Sequence, residues 1–235
     1  LEEASKISGT VTWTNGVTPL QGIQAIAYWW DGAGWAWMGQ NNTDASGYYI
    51  IGGLTADTYR VWFTDEQNGD YVSQAYSNVS DLAVGTDIIV PPLTTVGGID
   101  AWMDGASKIV GTVTGPGGVT TLDNIAVWAW WWDGMGWDTM GSANSDTGGH
   151  YTIGGLTTGT YRVQFNDWSG HYTSEVYSNA VDVDSGMDIV VPALSTVTNI
   201  DASLELGTPW DPPEFVGFRH SGTNYFELQY TGIVG

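Results

Sequence analysis

Residues 29–35, WWDGAGW, and residues 131–137, WWDGMGW, are two copies of one motif placed 102 positions apart (29 to 131). In each copy an Asp-Gly turn, with a second Gly close behind, stands between aromatic arms. This is the strongest short-range sequence signal for a β-hairpin. The motif therefore predicts one hairpin with Trp-rich arms in each half of the chain.

The duplication extends far beyond the hairpin. Residues 5–65 align without a gap with residues 107–167, and 36 of these 61 positions are identical. A chain of 235 residues has room for two modest domains, each large enough to bury its own core. We therefore expect a first domain over 1–105, a second over 106–207 and a separate C-terminal segment over 208–235.

Within each copy, short alternating runs are separated by turn residues every 8 to 12 positions, a spacing typical of a β-sandwich. Alternation places every second residue of 7–11 and of 59–63 in the core. Residues 52–54, Gly-Gly-Leu, predict a turn before the next strand. The predicted strands of the first copy are 7–14, 23–30, 35–39, 48–51, 58–64, 71–76, 86–90 and 98–103, and the second copy repeats them.

Four motifs carry a resemblance to a known family. They are ISGTV at 7–11, DASGYY at 44–49, IGGL at 51–54 and TYRV at 58–61, and the second copy repeats all four. Through them each copy resembles a carboxypeptidase regulatory-like domain, which belongs with transthyretin-like and collagen-adhesin B-type modules. The resemblance implies an all-β fold of two tandem Ig-like Greek-key β-sandwiches. It also implies a use as spacers, stalks or adhesive segments of secreted and surface proteins.

The composition narrows the classes of partner. Five basic residues stand against 26 acidic ones, giving a formal net charge of −21, so nucleic acid and anionic membranes are disfavoured as partners. No apolar stretch is long enough to span a membrane. Cysteine is absent, which excludes disulfides and thiolate metal sites. The many Asp and Gly residues are first of all turn chemistry.

Catalysis is not expected. The three histidines, His150, His171 and His220, have no histidine at the matching positions of the first copy, where Tyr48 and Asp70 stand opposite the first two. A catalytic or metal-binding His is not expected to be dispensable between copies this similar. The chain also lacks the common nucleophile, zinc-protease and phosphate-loop motifs. We predict that the protein is not an enzyme and needs no cofactor.

Calcium is the one cofactor with candidate ligands. Loops around Asp44 and Asp65, and around Asp146 and Asp167 in the second copy, are expected at one end of each sandwich. Calcium takes six to eight oxygen ligands, which convergent Asp and Asn loops can supply. The competing and favoured interpretation is that these Asp residues form turns.

The resemblance to adhesin modules raises one further chemistry, a Lys to Asn isopeptide bond. Lys6 and Lys108 each directly precede the first core residue of their strand. Alternation then points both side chains away from the core. A crosslink of this kind needs a buried Lys, so it is disfavoured.

The Trp residues are in excess of what a core needs, with 14 in the chain. Consecutive Trp residues on a strand face opposite sides of the sheet, so at least one of each set points away from its own core. Such an outward aromatic surface serves a protein contact or stacking on sugar rings, and the remaining alternative is packing within the hairpin itself. The candidate residues are Trp29, Trp30, Trp35, Trp37, Trp130, Trp131, Trp132 and Trp137.

The C-terminal segment begins with a Pro-rich connector and continues as two alternating runs around residues 221–224, which predict a two-stranded hairpin. A hairpin of two strands is marginal alone, so it must pack on the second domain, on a further domain or on an edge strand of another copy. The last option is strand addition between subunits. The candidate contact residues are Phe215, Phe218, Tyr225, Phe226, Leu228 and Tyr230.

These observations favour a non-catalytic, extracellular or cell-surface structural protein. In this interpretation the chain is a subunit of a fibre or adhesive stalk that self-associates head to tail into a homopolymer. One alternative is a carbohydrate-binding module that uses exposed Trp. A second alternative is the accessory part of a secreted enzyme.

Overall fold

The structure is a computed structural model that describes residues 4–207, 214–221 and 225–231. It is an all-β protein made of two tandem β-sandwiches followed by a two-stranded hairpin. The fold class predicted from the sequence is therefore confirmed. Below, repeat 1 denotes residues 5–104 and repeat 2 denotes residues 107–206.

Repeat 1 consists of two packed sheets. One sheet has the order β4-β1-β8, with β9 also pairing with β1, and the other has the order β3-β2-β5-β6, with β7 also pairing with β5. A short 3-10 helix, Leu82–Val84, precedes β7. The strands are β1 Ser5–Trp13, β2 Gln24–Trp30, β3 Trp35–Asn42, β4 Tyr48–Leu54, β5 Asp57–Thr64, β6 Gln74–Ala75, β7 Ile88–Val90, β8 Thr95–Val96 and β9 Ala101–Met103.

Repeat 2 has the same topology, with sheets β13-β10-β17 plus β18 and β12-β11-β14-β15 plus β16. Its 3-10 helix, Pro116–Gly118, follows the first strand of the repeat. The strands are β10 Ser107–Thr114, β11 Ala126–Trp132, β12 Trp137–Asn144, β13 His150–Leu156, β14 Gly159–Asn166, β15 Glu175–Val176, β16 Ile189–Val191, β17 Thr196–Val197 and β18 Ala202–Ser203. No helix in the described ranges is long and apolar enough to cross a membrane.

Alternation along the strands builds the core of each repeat as predicted. Ile7 and Val11 on β1 are fully buried, as are Tyr59, Val61 and Phe63 on β5. The counterparts in repeat 2 are equally buried. Each repeat has its own cluster of buried apolar side chains, one within residues 7–103 and one within 109–204. The division of the chain at residues 105 and 106 stays a prediction, and the two separate cores support it.

A close backbone approach organises each sandwich. The chain from β8 to β9 runs parallel to β1 and pairs with it at Lys6 and Ile7 and again from Val11, and between these places the Ile99 N–H donates to the Ser8 carbonyl at 3.1 Å. A Cβ atom added to Gly9 would lie 2.0 Å from the carbonyl oxygen of Ile99, so only glycine fits there. The buried Tyr49 hydroxyl donates a hydrogen bond to the same oxygen at 2.7 Å.

The structure differs from the predicted strands in several places. It adds β8, extends the predicted 35–39 to Asn42, and shortens the predicted 86–90 and 98–103 to β7 and β9. Two further differences concern residues 71–76 and 52–54. The strand predicted over 71–76 is reduced to β6, because Tyr71 instead forms an isolated bridge with Gly105. Residues 52–54 do not form a separate turn but continue β4 to its end. There the pairing with β1 is irregular, since Ser5 lies opposite Leu54 and Ile7 opposite Ile51. Only Gly53 of the two glycines has a positive φ, of 80°.

The tail contains the predicted hairpin. Strands β19, Glu214–Ser221, and β20, Tyr225–Thr231, pair antiparallel. The connector over 208–213 and the turn over 222–224 lie outside the described residues. The contacts proposed for Phe215, Phe218, Tyr225, Phe226, Leu228 and Tyr230 stay a prediction.

Among the buried polar positions at which the two repeats differ, one lies on β6 of repeat 1 and β15 of repeat 2. In repeat 1, the Gln74 side-chain amide donates to the Asn78 side chain at 2.9 Å and to the Trp102 carbonyl at 2.6 Å. Repeat 2 has Glu175 at this place, and its Oε1 atom is buried without a hydrogen-bond partner in the described residues. Burial, together with the charge of Glu205, raises the pKa of Glu175 above its ordinary value.

We predict that Glu175→Gln stabilises the protein at neutral pH. An amide can donate where a carboxylate cannot, so we expect a gain of about 1 kcal/mol, or roughly 2–4 °C in Tm. Because the folded pKa is raised, the charged carboxylate costs stability above that pKa, and protonation removes the cost. The gain over the unchanged chain should therefore shrink as pH falls, and it should vanish below the ordinary pKa of 4.5.

Thermal melts of both proteins between pH 3 and 8 measure the difference. An equal Tm at neutral pH, or a gain that does not depend on pH, would contradict the assignment. Gln74→Glu in repeat 1 is the matched reverse change, and it should lower the Tm at neutral pH.

Candidate functional site

The turn of each Trp-rich hairpin is held by its own aspartate. The Asp31 carboxylate accepts hydrogen bonds from the backbone N–H groups of Ala33 and Gly34, both at 2.8 Å. These two bonds hold the pKa of Asp31 below its usual value. Gly32 has a φ of 100°, which favours glycine. Asp133 closes the second hairpin in the same way, at 2.6 and 2.7 Å.

The neighbouring Trp residues of each hairpin face opposite sides of the sheet. Trp29 packs against the core of repeat 1, whereas Trp30 points outward and is 49% exposed. Across the hairpin, Trp30 lies directly opposite Trp35, and their ring centroids are 5.3 Å apart in an edge-to-face arrangement. Such pairs add about 0.5–1.5 kcal/mol beyond the area that they bury.

Repeat 2 reproduces this arrangement. Trp131 packs against its core, and Trp132 points outward with 44% of its surface exposed. The ring centroids of Trp132 and Trp137 are also 5.3 Å apart. The sequence predicted that neighbouring Trp residues face opposite sides of the sheet, and the structure shows that Trp29 and Trp131 are the inward members.

An arginine side chain stacks on each outward Trp pair and also bonds to the neighbouring loop, and we call this arrangement the brace. The Arg60 guanidinium lies over the Trp35 ring, 4.6 Å from its centroid. It also pairs with Asp87 at 2.6 Å and donates to the carbonyls of Leu82, at 2.9 Å, and Ala83. Because the guanidinium is planar and has several donors, one Arg can stack on the ring and hold the loop before β7.

The brace in repeat 2 has the same parts. Arg162 lies 4.4 Å from the Trp137 ring centroid and pairs with Asp188 at 2.8 Å. It donates to the carbonyls of Val183 and Asp184, both at 2.5 Å. Neither arginine was among the residues singled out from the sequence. The sequence signal that could have found them is that both copies of the TYRV motif contain this arginine.

Each braced Trp pair lines an open cleft, and we call the two together the aromatic clefts. The cleft in repeat 1 has a volume of about 540 Å³, and that in repeat 2 about 460 Å³. Trp, Arg and Asp side chains are common to both clefts, and so is one threonine, Thr58 or Thr160. The clefts differ in one further polar group, because the cleft in repeat 1 contains Asp57 and that in repeat 2 contains Asp184.

The other candidate Trp residues extend the outward surface unequally. Trp37 lies two residues beyond Trp35 on β3 and is 60% exposed, but its counterpart in repeat 2 is Thr139. Trp130 is half-buried and donates to the Gln164 side chain at 3.0 Å. The parts that the two repeats share are therefore the braced pair and the inward Trp.

The four carboxylates considered for calcium all accept hydrogen bonds within their own loops. Asp44 accepts from the Ser46 hydroxyl at 2.6 Å and from the Tyr48 N–H at 3.0 Å, and these bonds lower its pKa. Asp65 accepts from the Asp70 N–H at 2.9 Å, and Asp146 and Asp167 cap their loops similarly. In the part of the chain that the structure describes, no three His, Asp or Glu side chains gather as a metal site. The geometry is that of turns.

The two repeats meet through a second site, built from backbone and one ion pair. The Gly69 carbonyl of repeat 1 accepts a hydrogen bond from the Gly155 N–H of repeat 2 at 2.9 Å. A Cβ atom added to Gly69 would lie 2.6 Å from the Gly154 Cα. Lys108 donates to the Asn68 carbonyl at 2.7 Å and pairs with Asp70 at 2.7 Å. We call this the inter-repeat contact.

A third cleft, of about 630 Å³, lies beside the inter-repeat contact. Repeat 1 contributes Trp62 and the loop after β5, and repeat 2 contributes Met140, Ser142 and Thr152. Sequence reasoning did not anticipate this cleft or the inter-repeat contact, because both depend on how the repeats are placed. The exposed His150 and His171 do not line any of the three clefts.

Comparison with known proteins adds a likeness of fold. No protein-family model matches the chain, and a search of curated proteins gives no match. Similar solved structures are a streptococcal ancillary pilin (15% identity, TM-score 0.40) and GBS52, the minor pilin of Streptococcus agalactiae (13%, 0.33). A third is the shaft pilin SpaA of Lactobacillus rhamnosus GG (12%, 0.33).

The matches cover 88%, 89% and 90% of this chain, respectively. They span 63% of the ancillary pilin and all of the other two structures. At these identities and TM-scores the likenesses carry no argument about function. The resemblance to carboxypeptidase regulatory-like domains stays a prediction, and the function is argued from the chain's own residues.

We predict that Arg60→Ala loosens the cleft of repeat 1. The change removes the ring contact, the ion pair and the two carbonyl hydrogen bonds, so we expect a loss of about 2 kcal/mol, or roughly 4–8 °C in Tm. Thermal melts and Trp fluorescence measure the effect. The Tm of Arg60→Lys should lie between those of the unchanged protein and Arg60→Ala, because lysine keeps the positive charge but lacks the planar guanidinium.

Arg162→Ala is the matched change in repeat 2 and should have a similar effect. A Tm within 1 °C of the unchanged protein for both variants would show that the brace is dispensable.

Proposed function

We propose that this chain is a non-catalytic structural subunit of an extracellular or cell-surface fibre or adhesive stalk. In this role it associates with further copies of itself through the aromatic clefts. The observation that carries the proposal is that both repeats keep the same half-exposed, Arg-braced Trp pair. A surface that only faces solvent does not require an exposed Trp pair held by an arginine in each repeat.

The brace makes the outward Trp surface suitable for a contact. Trp side chains offer a large contact area with few rotatable bonds, and they are enriched where binding energy concentrates. In the unbound protein the guanidinium already contacts one ring of each Trp pair, and the two rings of the pair contact each other. A preorganised surface loses less conformational entropy on binding than a mobile one.

Protein contact is favoured over sugar stacking by what the two clefts share. A pair of sites for one sugar should repeat the polar groups that bond to its hydroxyls. The repeats share the Trp pair, its Arg and Asp partners and one threonine, Thr58 or Thr160. The other polar groups differ, because Asp57 corresponds to Gly159 and Ala83 corresponds to Asp184. Packing against a neighbouring protein tolerates such differences at the rim of the contact.

Glycan binding is the second candidate, and one observation favours it. In repeat 1 the exposed Trp30 ring lies in the same cleft as the side chains of Asp57 and Thr58. An aromatic face beside polar groups is what a sugar ring requires, with stacking on one side and hydrogen bonds at the edge. This candidate involves repeat 1 more than repeat 2.

We predict that the double variant Trp30→Ala/Trp132→Ala weakens self-association by tenfold or more, which corresponds to about 1.4 kcal/mol. Sedimentation velocity over a range of concentrations measures it. Trp13→Ala is the control, because Trp13 is similarly exposed but lies outside both clefts.

Two outcomes would count against this proposal. If the unchanged chain is monomeric at every concentration and forms no assemblies by electron microscopy, it is not a fibre subunit. If it stays monomeric while soluble polysaccharide quenches its Trp fluorescence, and Trp30→Ala removes the quenching, glycan binding is the function.

A further inference from the structure

The inter-repeat contact joins two different surfaces. Repeat 1 contributes a loop, residues 68–70, and repeat 2 contributes the start of β10 and the end of β13, represented by Lys108, Gly154 and Gly155. We call these the loop surface and the strand surface. A contact between unlike surfaces leaves one of each unused when only two units are joined.

Both unused surfaces are present in this chain, because each repeat carries both. Repeat 1 has the strand surface as Lys6, Gly52 and Gly53, at the positions matching Lys108, Gly154 and Gly155. Repeat 2 has the loop surface as residues 169–171, Ser-Gly-His, in a loop one residue shorter. In both loops an Asp at the start caps the backbone, Asp65 in repeat 1 and Asp167 in repeat 2.

The glycines of the two unused surfaces have room for an added Cβ atom, whereas Gly154 in the inter-repeat contact, which we also call the inner contact, does not. A Cβ atom added to Gly53 or Gly170 meets no atom of the described residues within 4 Å, and one added to Gly52 meets only the Lys6 side chain, at 3.9 Å. In the inner contact, by contrast, a Cβ on Gly154 would lie 2.7 Å from the Gly69 Cα. Within the described residues, therefore, neither the strand surface of repeat 1 nor the loop surface of repeat 2 contacts another repeat. The described neighbour of the loop is Gly207, whose N–H donates to the His171 carbonyl at 2.7 Å.

Gly52 is the informative residue among them. Gly53, Gly155 and Gly170 have positive φ angles, which explain glycine without any partner. Gly52 and Gly154 have no such angle. Gly154 needs to be glycine because the Gly69 backbone approaches it, and nothing in its own repeat requires glycine at Gly52.

We propose that the strand surface of one chain, formed by Lys6, Gly52 and Gly53, docks on the 169–171 loop of a second copy. The geometry is that of the inter-repeat contact. This inference rests on the proposed function, self-association, and adds the surface that gives it direction. Because the two surfaces are unlike, the contact repeats along a row of chains and gives an open filament.

The contact between chains is weaker than its template. His171 stands where repeat 1 has Asp70, so Lys6 retains a carbonyl acceptor, that of Ser169, but loses the carboxylate. Within one chain the linker at 105–106 keeps the two surfaces at high effective concentration, whereas separate chains have no such help. The association is therefore reversible and depends on concentration.

Gly52→Ala tests the proposal on the full chain. The new methyl group has room in the isolated repeat but meets the loop backbone in the docked pair, so we expect association measured by sedimentation velocity to weaken at least tenfold. Gly97→Ala is the matched control, since Gly97 also lacks a positive φ, a Cβ atom there would meet only the Ser8 hydroxyl oxygen, at 3.6 Å, and repeat 2 has Thr198 at the same place. An unchanged Tm shows that each variant is folded.

His171→Asp supplies a gain that misfolding cannot mimic. It restores the carboxylate that pairs with Lys108 in the template, so association should tighten by about two- to fivefold, the size expected of a partly exposed ion pair. Lys6→Ala in the same chain should abolish this gain.

The outcomes separate this inference from the proposed function. If association occurs but ignores both Gly52→Ala and His171→Asp, the docking surface is wrong while self-association stands. If the unchanged chain and His171→Asp are both monomeric at every concentration, both proposals fall.

Discussion

Each sandwich depends on the place where the chain between β8 and β9 approaches strand β1. At Gly9 this chain comes so close that no Cβ atom fits, and the buried Tyr49 hydroxyl ties the two segments together through the Ile99 carbonyl. Burial raises the pKa of Tyr49, which keeps that hydroxyl a donor. Asp100 adds a bond to the Thr10 N–H at 2.8 Å. These contacts let β1 pair with β8 at one end and with β9 at the other.

Repeat 2 has the same close approach to its first strand, with Gly111, Tyr151 and the Ile200 carbonyl in equivalent roles. The outward face of the other sheet is less uniform, since Ile26 and Trp62 of repeat 1 correspond to Trp128 and Gln164. Against this variation, the braced Trp pair and the glycines of the inter-repeat contact are retained. The retained outward features are those that the two proposals use.

Sequence periodicity predicted most of the fold, because a period of two fixes which side chains of a strand can be buried. It identified the buried set on β5 and placed Trp29 and Trp30 on opposite faces. It could not find the brace, since Arg60 and Asp87 are 27 residues apart and meet only through the sheet. For Asp44 it favoured a turn over a calcium site without deciding between them, because both use the same carboxylate oxygens. In the structure the Asp44 carboxylate accepts hydrogen bonds from Ser46 and Tyr48.

The inter-repeat contact could not be predicted from the sequence, yet one residue difference between the loops of the two repeats has a clear physical meaning. Within the chain, Lys108 pairs with the Asp70 carboxylate, and in the matching loop of repeat 2 the place of Asp70 is held by His171. In the proposed filament, the contact between chains therefore lacks the ion pair of the contact within a chain. The linker at 105–106 also holds the contact within a chain at high effective concentration, so the contact between chains would be the weaker one for two reasons. An ion pair at the contact between chains would strengthen it, but it would not supply the effect of the linker.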